Sequence, residues 1–235
     1  MQMSKLESKT YEKLRDNKLI VFRLKDVSLL LHLDKTSTYN LIKAMKKKAI
    51  IKKISGSSYA FSDADDLVIA CNAHFPSYIS FWTALSYYHW SDQLPKKIYL
   101  CTTKYSKEIN RSYYATIRKN RFFGYTQIGE IVIAEKEKAI IDSLFLPRYA
   151  GGIAEIQKCV NISLPQLDME KLIRYTLQME NKALLRRIGF LIEKHLSESL
   201  LRKMKQQIGK GYELLDPTLP KKNNYNKEWL LDVNL

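Results

Sequence analysis

Between residues 24 and 61 the apolar positions change period, and each change marks an element. Leu24, Val27, Leu30 and Leu31 recur at the spacing of one helix face, and His32-Leu33-Asp34 ends that run. A second helical pattern covers 36–48. At 3.6 residues per turn, Thr38, Leu41, Ile42 and Met45 fall on one side and Thr36, Asn40, Lys43 and Lys47 on the other. Tyr39 and Lys46 flank the polar side at one edge and Ser37 at the other, and the Lys35-Thr36-Ser37 hydroxyls are placed to cap the helix start. Ile50-Ile51-Lys52-Lys53-Ile54 then reads as a strand, Ser55-Gly56-Ser57-Ser58 as a turn and Tyr59-Ala60-Phe61 as a returning strand. A helix over 4–17, with Leu6, Thr10 and Leu14 on one side, and a short strand over 19–22 come first. Helix, strand, helix, helix, hairpin is the order of a winged helix-turn-helix.

The polar stretch 62–66 (Ser-Asp-Ala-Asp-Asp) separates this module, residues 1–63, from a second domain, 67–235. An acidic stretch avoids phosphate, so it is expected to face away from DNA. Residues 67–75 are apolar up to Pro76. A helix rich in aromatics is expected over 80–89, where Phe81, Trp82, Tyr87 and Tyr88 read as core rings more readily than as a stacking platform. Strands are expected over 97–102, 113–118, 122–125 and 131–134, and helices over 135–146, 153–161, 168–180 and 182–196. The last 26 residues lack periodicity; they order only if Trp229-Leu230-Leu231 docks. The whole is expected to be α+β, a winged helix followed by a mixed sheet-and-helix domain.

Charge narrows the partners. The chain holds 39 Lys and Arg against 24 Asp and Glu, a net +15. Residues 1–63 carry 14 against 6, a surplus of 8, so the smaller part has roughly three times the charge density of the remainder. That favours a polyanion, and the exposed face of the second helix specifies double-stranded DNA. The candidate contacts are Thr36, Ser37, Tyr39, Asn40, Lys43, Lys46 and Lys47 on the helix, with Lys52, Lys53 and Ser57 on the wing. Arg111, Arg118, Lys119 and Arg121, interleaved with Tyr113, Tyr114, Phe122 and Phe123, form a second candidate nucleic-acid surface; the bland alternative is a sheet with a basic outer face. No apolar run approaches the roughly 18 residues of a membrane span and no signal-peptide pattern opens the chain, so a cytoplasmic protein without a membrane partner is expected. Cys71, Cys101 and Cys159 lie too far apart in sequence for a disulfide framework, which suits a reducing compartment.

Enzyme chemistry finds little footing. Gly56-Ser57 with Asp63 and Asp65 imitates a nucleotidyltransferase motif, but the spacing is short and no helix fits between. Cys71 and His74 lack the second half of a zinc site. Glu135, Lys138 and Asp142 share a helix face and are the best candidates for a metal-dependent nuclease, although such pairs commonly just stabilise helices. No catalytic residue, metal or cofactor is expected.

Several short strings, in order along the chain, resemble the AbiEi-type antitoxins. They are Pro76-Ser77-Tyr78-Ile79-Ser80 followed by Ala84-Leu85; the run Ala134 through Asp142; Pro147-Arg148-Tyr149-Ala150-Gly151-Gly152; Arg187-Ile188-Gly189-Phe190-Leu191; Leu215-Asp216-Pro217; and Asn226-Lys227-Glu228-Trp229. The compact wing and the aromatic 81–90 stretch depart from that family's pattern. The resemblance implies the antitoxin of a type IV toxin–antitoxin system linked to abortive phage infection. Such a protein represses its own operon through the winged helix, and through its second domain counters a nucleotidyltransferase-like toxin without a stable complex. The alternatives are a plain winged-helix transcription factor with a ligand-sensing or dimerising second domain, and the nuclease.

Overall fold

The computed structural model describes residues 2–235 and has an α+β architecture. In chain order its elements are α1 (Lys5–Asp16), β1 (Val21–Arg23), α2 (Leu24–Leu31), α3 (Lys35–Lys47), β2 (Ile51–Ser55), β3 (Ser58–Phe61), α4 (Asp66–Ala73), β4 (Ser77–Ile79), α5 (Phe81–Tyr87), β5 (Ile98–Thr102), β6 (Lys107–Ile109), β7 (Ser112–Thr116), β8 (Tyr125–Ile128) and β9 (Ile131–Ala134). Then follow α6 (Lys136–Phe145), α7 (Ile153–Ser163), α8 (Met169–Gln178), α9 (Lys182–Ile192), α10 (Glu198–Lys205), β10 (Glu213–Leu214), β11 (Tyr225–Asn226) and β12 (Leu231–Asp232).

The N-terminal elements have the order and pairing of a winged helix-turn-helix. Their sheet runs β1-β3-β2, all antiparallel, so the strand before the helices pairs with the returning strand of the wing. Gly56, at φ +52°, makes the turn between β2 and β3 that other residues adopt with strain. Leu14, Phe22, Val27, Leu41, Ile42, Met45, Ile51 and Phe61 form a core of their own. The α3 pattern is as expected: Thr38, Leu41, Ile42 and Met45 are its buried residues. The cap differs. Asp34, not a hydroxyl of residues 35–37, ends the preceding turn, its Oδ1 accepting from the Thr36 and Ser37 amides at 2.8 and 3.0 Å.

The wing sheet is covered on both faces. Successive strand residues point to opposite sides. Ile51 and Phe61, directly opposite each other, face the helices, whereas Ile54 and Ala60 face the other way and belong to the large core of the second domain. The acidic stretch ties the modules together. Asp63 accepts from Arg15 at 2.8 Å, Asp65 caps α4 through the Leu67 and Val68 amides, and Asp66 pairs with Lys52 at 3.1 Å.

The second domain is built on a six-stranded sheet, order β6-β7-β5-β4-β9-β8, with β4 parallel to β9 and β5 parallel to β7. Its two faces are told apart by β4, where Ser77 donates to the Cys71 carbonyl of α4 and the next residue, Tyr78, donates to Asp142 of α6. Central β4 is therefore buried on both sides. It has three residues and no alternation, which is why the pattern of apolar positions misses it. Other short elements, namely β6, α10 and the two-residue tail strands β10, β11 and β12, also go unanticipated. The expected strand 122–125 is displaced: Phe122 and Phe123 are loop residues packed on the core, and β8 begins at Tyr125. The expected helix 182–196 ends at Ile192.

The tail docks. Trp229 is fully buried, with its ring against Gly189, where an added Cβ would lie 2.0 Å from the indole. A three-stranded ribbon, β10-β12-β11, holds the rest of the tail, and Arg187 of α9 donates to the carbonyls of Leu214, Leu215 and Leu144. No described helix is long and apolar enough to cross a membrane.

Replacing Leu41 by Ala should cost about 2–5 kcal/mol, since the side chain fills the N-terminal core and the site cannot fully collapse. Denaturant unfolding measures this directly. An unchanged midpoint with lost DNA binding would mean that the buried and exposed faces of α3 are reversed.

Candidate nucleic-acid interface

The exposed face of α3 carries the strongest site geometry. Thr36, Ser37, Tyr39, Asn40, Lys43, Lys46 and Lys47 are all exposed, Tyr39 to 56% despite its ring. Among the described residues, none of the three ammonium groups on this face lies within salt-bridge distance of a carboxylate. Lys48, one step beyond the helix, is instead bound to Glu7, which it holds below its ordinary carboxylate value. Thr36, Asn40, Lys43 and Lys47 follow one another along a single stripe. An amide can read the donor and acceptor edge of a base, and ammonium groups can take phosphate, which is the chemistry this stripe offers.

Two predicted contacts turn out to be occupied. The Ser37 hydroxyl donates to Asp34 at 2.5 Å and, with the Ser37 and Thr36 amides, keeps that carboxyl below its usual value. Ser37 thus helps fix the helix start. Lys52 is engaged by Asp66, while Lys53, next along the strand, is exposed, as is Ser57 at the turn. The sequence reading missed Lys25 and Lys35. Both are exposed beside Thr36 and Tyr39, lining an open cleft of about 620 Å³ between α2 and the first turn of α3. Their signal was position alone, a lysine in the first turn of each helix.

The second basic group does not assemble into one surface. Arg111 precedes β7 and Arg118 follows it, so about five strand residues, roughly 17 Å, separate them. Arg121 donates to the carbonyls of Met179 and Glu180 and stacks on Phe145; only Arg118 and Lys119 remain adjacent and exposed. Tyr114 is fully buried and donates to the Ala70 carbonyl. Tyr113, Phe122 and Phe123 are half-buried against the core.

The candidates for enzyme chemistry are dispersed or sealed. Gly56 and Ser57 sit at the wing tip, away from the roles of Asp63 and Asp65 described above. Cys71 and His74 are two buried residues, and among the described residues no group of His, Cys, Asp and Glu gathers to hold a metal. Lys138 and Asp142 are 0% and 1% exposed and bonded to each other. Asp142 also accepts from Tyr78 at 2.9 Å and Ser80 at 2.8 Å, and Lys138 donates to the Tyr78 hydroxyl at 3.0 Å. Burial first, and then the Asp142 charge, push the Tyr78 phenol and the Cys101 thiol well above their ordinary values. Glu135 turns elsewhere, accepting from Tyr175 at 2.7 Å. This is an internal ion pair and hydrogen-bond network sealed from solvent.

No family model matches the chain, and no curated protein matches it. Among solved structures, the crystal structure of the RV2827C protein from Mycobacterium tuberculosis is similar over 98% of this chain and 92% of its own, with a TM-score of 0.67 at 10% identity. The two share a fold along almost their whole lengths.

Two outcomes test these assignments. Asn40→Ala should weaken binding to a specific site by about 1–3 kcal/mol and barely alter binding to random duplex, whereas Lys43→Ala should weaken both and reduce the salt slope by about 1. Equal losses on both duplexes would remove Asn40 from base reading. Separately, Asp142→Ala should destabilise the fold by about 3–5 kcal/mol because it strands a buried ammonium group, and Lys138→Met combined with Asp142→Leu should recover much of that. A single variant as stable as the parent in denaturant would show that the pair is not the internal pin described.

Proposed function

We propose that the chain is a DNA-binding transcriptional regulator that represses its own operon and serves as the antitoxin of a type IV toxin–antitoxin pair. The observation that carries the DNA reading is the unpaired basic and amide stripe on α3, displayed from a winged helix-turn-helix. Asn40 reads a base edge, Lys43, Lys46 and Lys47 bind phosphates, Thr36 and Tyr39 bracket the stripe, and Lys53 and Ser57 follow the backbone from the wing. The antitoxin reading rests on the ordered strings that resemble AbiEi proteins, all of which fall in the second domain. Under it, the functional partner is a nucleotidyltransferase-like toxin opposed without a stable complex, the compartment is the cytoplasm, and the second domain works without catalysis or cofactor.

The packing suggests how to test the two roles. Because Ile54 and Ala60 of the wing complete the second domain's core, point variants of the full chain separate the roles more cleanly than fragments. Asn40→Ala combined with Lys43→Ala should relieve repression of a reporter driven by the chain's own upstream region, yet still rescue cells expressing the toxin encoded beside it. Loss of rescue at matched protein levels would tie antitoxin activity to DNA binding. Failure of the parent protein to rescue would remove the antitoxin role while leaving the regulator intact.

A further inference from the structure

The edge strand β6 brings a second set of cations to the wing. Lys107 lies opposite Tyr114 in the β6–β7 register, and paired residues share a sheet face. Tyr114 donates to the Ala70 carbonyl of α4, so Lys107 is on the face toward α4 and the wing. Glu108 is on the other face and is paired with Lys97 at 2.7 Å. Lys107, the preceding Lys104 and Tyr105, and His74 line a cleft of about 300 Å³ whose opposite wall is the wing turn Ser55 to Ser58 together with Arg23. Arg23 stands directly opposite Ser58 in the β1–β3 register. No carboxylate lines this cleft, and among the described residues Arg23, Lys104 and Lys107 have no salt-bridge partner. His74 lies in the same wall, held below its ordinary imidazole value by burial and then by the charges of Lys104 and Lys107.

We propose that the DNA interface extends past the winged helix into the second domain: the sugar-phosphate strand that follows the wing turn enters this cleft and is held by Arg23, Lys104 and Lys107. The inference rests on the DNA-binding reading above. Its occupant is chosen by continuity and charge, because the cleft is walled by the same Ser55–Ser58 turn that the wing presents to the backbone. Contacts of this kind fix register and strengthen binding without reading sequence. They also place the second domain on the duplex, so the whole chain covers more DNA than its first 61 residues would.

The test uses the full chain and a fluorescent random-sequence duplex, with anisotropy titrations over a range of salt concentrations. Lys104→Ala combined with Lys107→Ala should bind roughly tenfold more weakly and lower the slope of log affinity against log salt by about 2, with an unchanged thermal midpoint. Lys203→Ala combined with Lys221→Ala removes the same charge from exposed positions of the C-terminal region and should leave the slope near that of the parent. Double-variant values matching the parent, or matching this control, would overturn the proposal. If Lys43→Ala still lowers the slope in that case, the winged-helix reading survives and only its extension falls. A folded parent that binds no duplex would overturn both.

Discussion

The three-stranded sheet of the N-terminal module is buried on both faces, and the arrangement of the whole chain depends on it. A sheet this small is marginal in water unless something covers it. Here Phe22, Ile51 and Phe61 are sealed by the three helices, and Ile54 and Ala60 by the second domain. A one-residue slip of β2 against β3 would exchange those sets and place Lys52 or Lys53 in a core. The register is accordingly set from both sides, with a bulge between Lys53 and Ser55 where the strand reaches the turn. Because α3 leads directly into β2, the orientation of the exposed α3 face relative to the second domain follows from the same packing.

The second domain has its own anchor in the network around Asp142. Isolated, a buried carboxylate or ammonium group would be expensive to desolvate. The cost is offset by mutual contacts: Asp142 meets Lys138, Tyr78 and Ser80, and Lys138 meets Tyr78 with the Phe123 ring 5.0 Å away. These contacts join β4 and the start of α5 to α6. Arg187 does the corresponding job further along, joining α9 and the end of α6 to the tail strands through three carbonyls. Polar groups that looked like chemistry in sequence are thus the fasteners of the fold, because in low dielectric a satisfied network specifies one geometry and a broken one is heavily penalised.

Legibility followed physical scale. Long amphipathic helices declared themselves: the α3 face was readable residue by residue, since Thr38, Leu41, Ile42 and Met45 keep the 3.6 period and the opposite face carries polar residues at that same period. The wing was readable because a β-branched run meets a Gly-Ser turn. Central β4 was invisible, since a strand buried on both faces has no alternation to detect. The burial of Lys138 was hidden for a related reason. Its partner Tyr78, like the Ser80 that donates to Asp142, is about 60 positions away, and a lysine four residues before an aspartate on a helix looks like an ordinary surface pair. Lys104 and Lys107 could not be connected to the wing at all, because that proximity arises only when β6 takes the edge of the sheet.

The same separation explains why the net charge is more telling than the catalogue of carboxylates. Six of the eight acidic groups in residues 1–66 are committed: Glu7 to Lys48, Asp26 to the Arg23 amide, Asp34 to the α3 cap, Asp63 to Arg15, Asp65 to the α4 cap and Asp66 to Lys52. Each commitment fixes a helix end or a domain contact, and the three salt bridges cancel one positive charge for each negative one, so the surplus rests on the lysines that have no such partner among the described residues. The lysines of α3 are left without such partners, on a helix whose other face is fully used in packing. Metal-dependent cleavage would need the reverse arrangement, with carboxylates gathered and open to solvent. A surface with bound carboxylates and unpaired ammonium groups has the charge that the proposed phosphate contacts need, and the packing of the wing sets where that surface stands relative to the second domain.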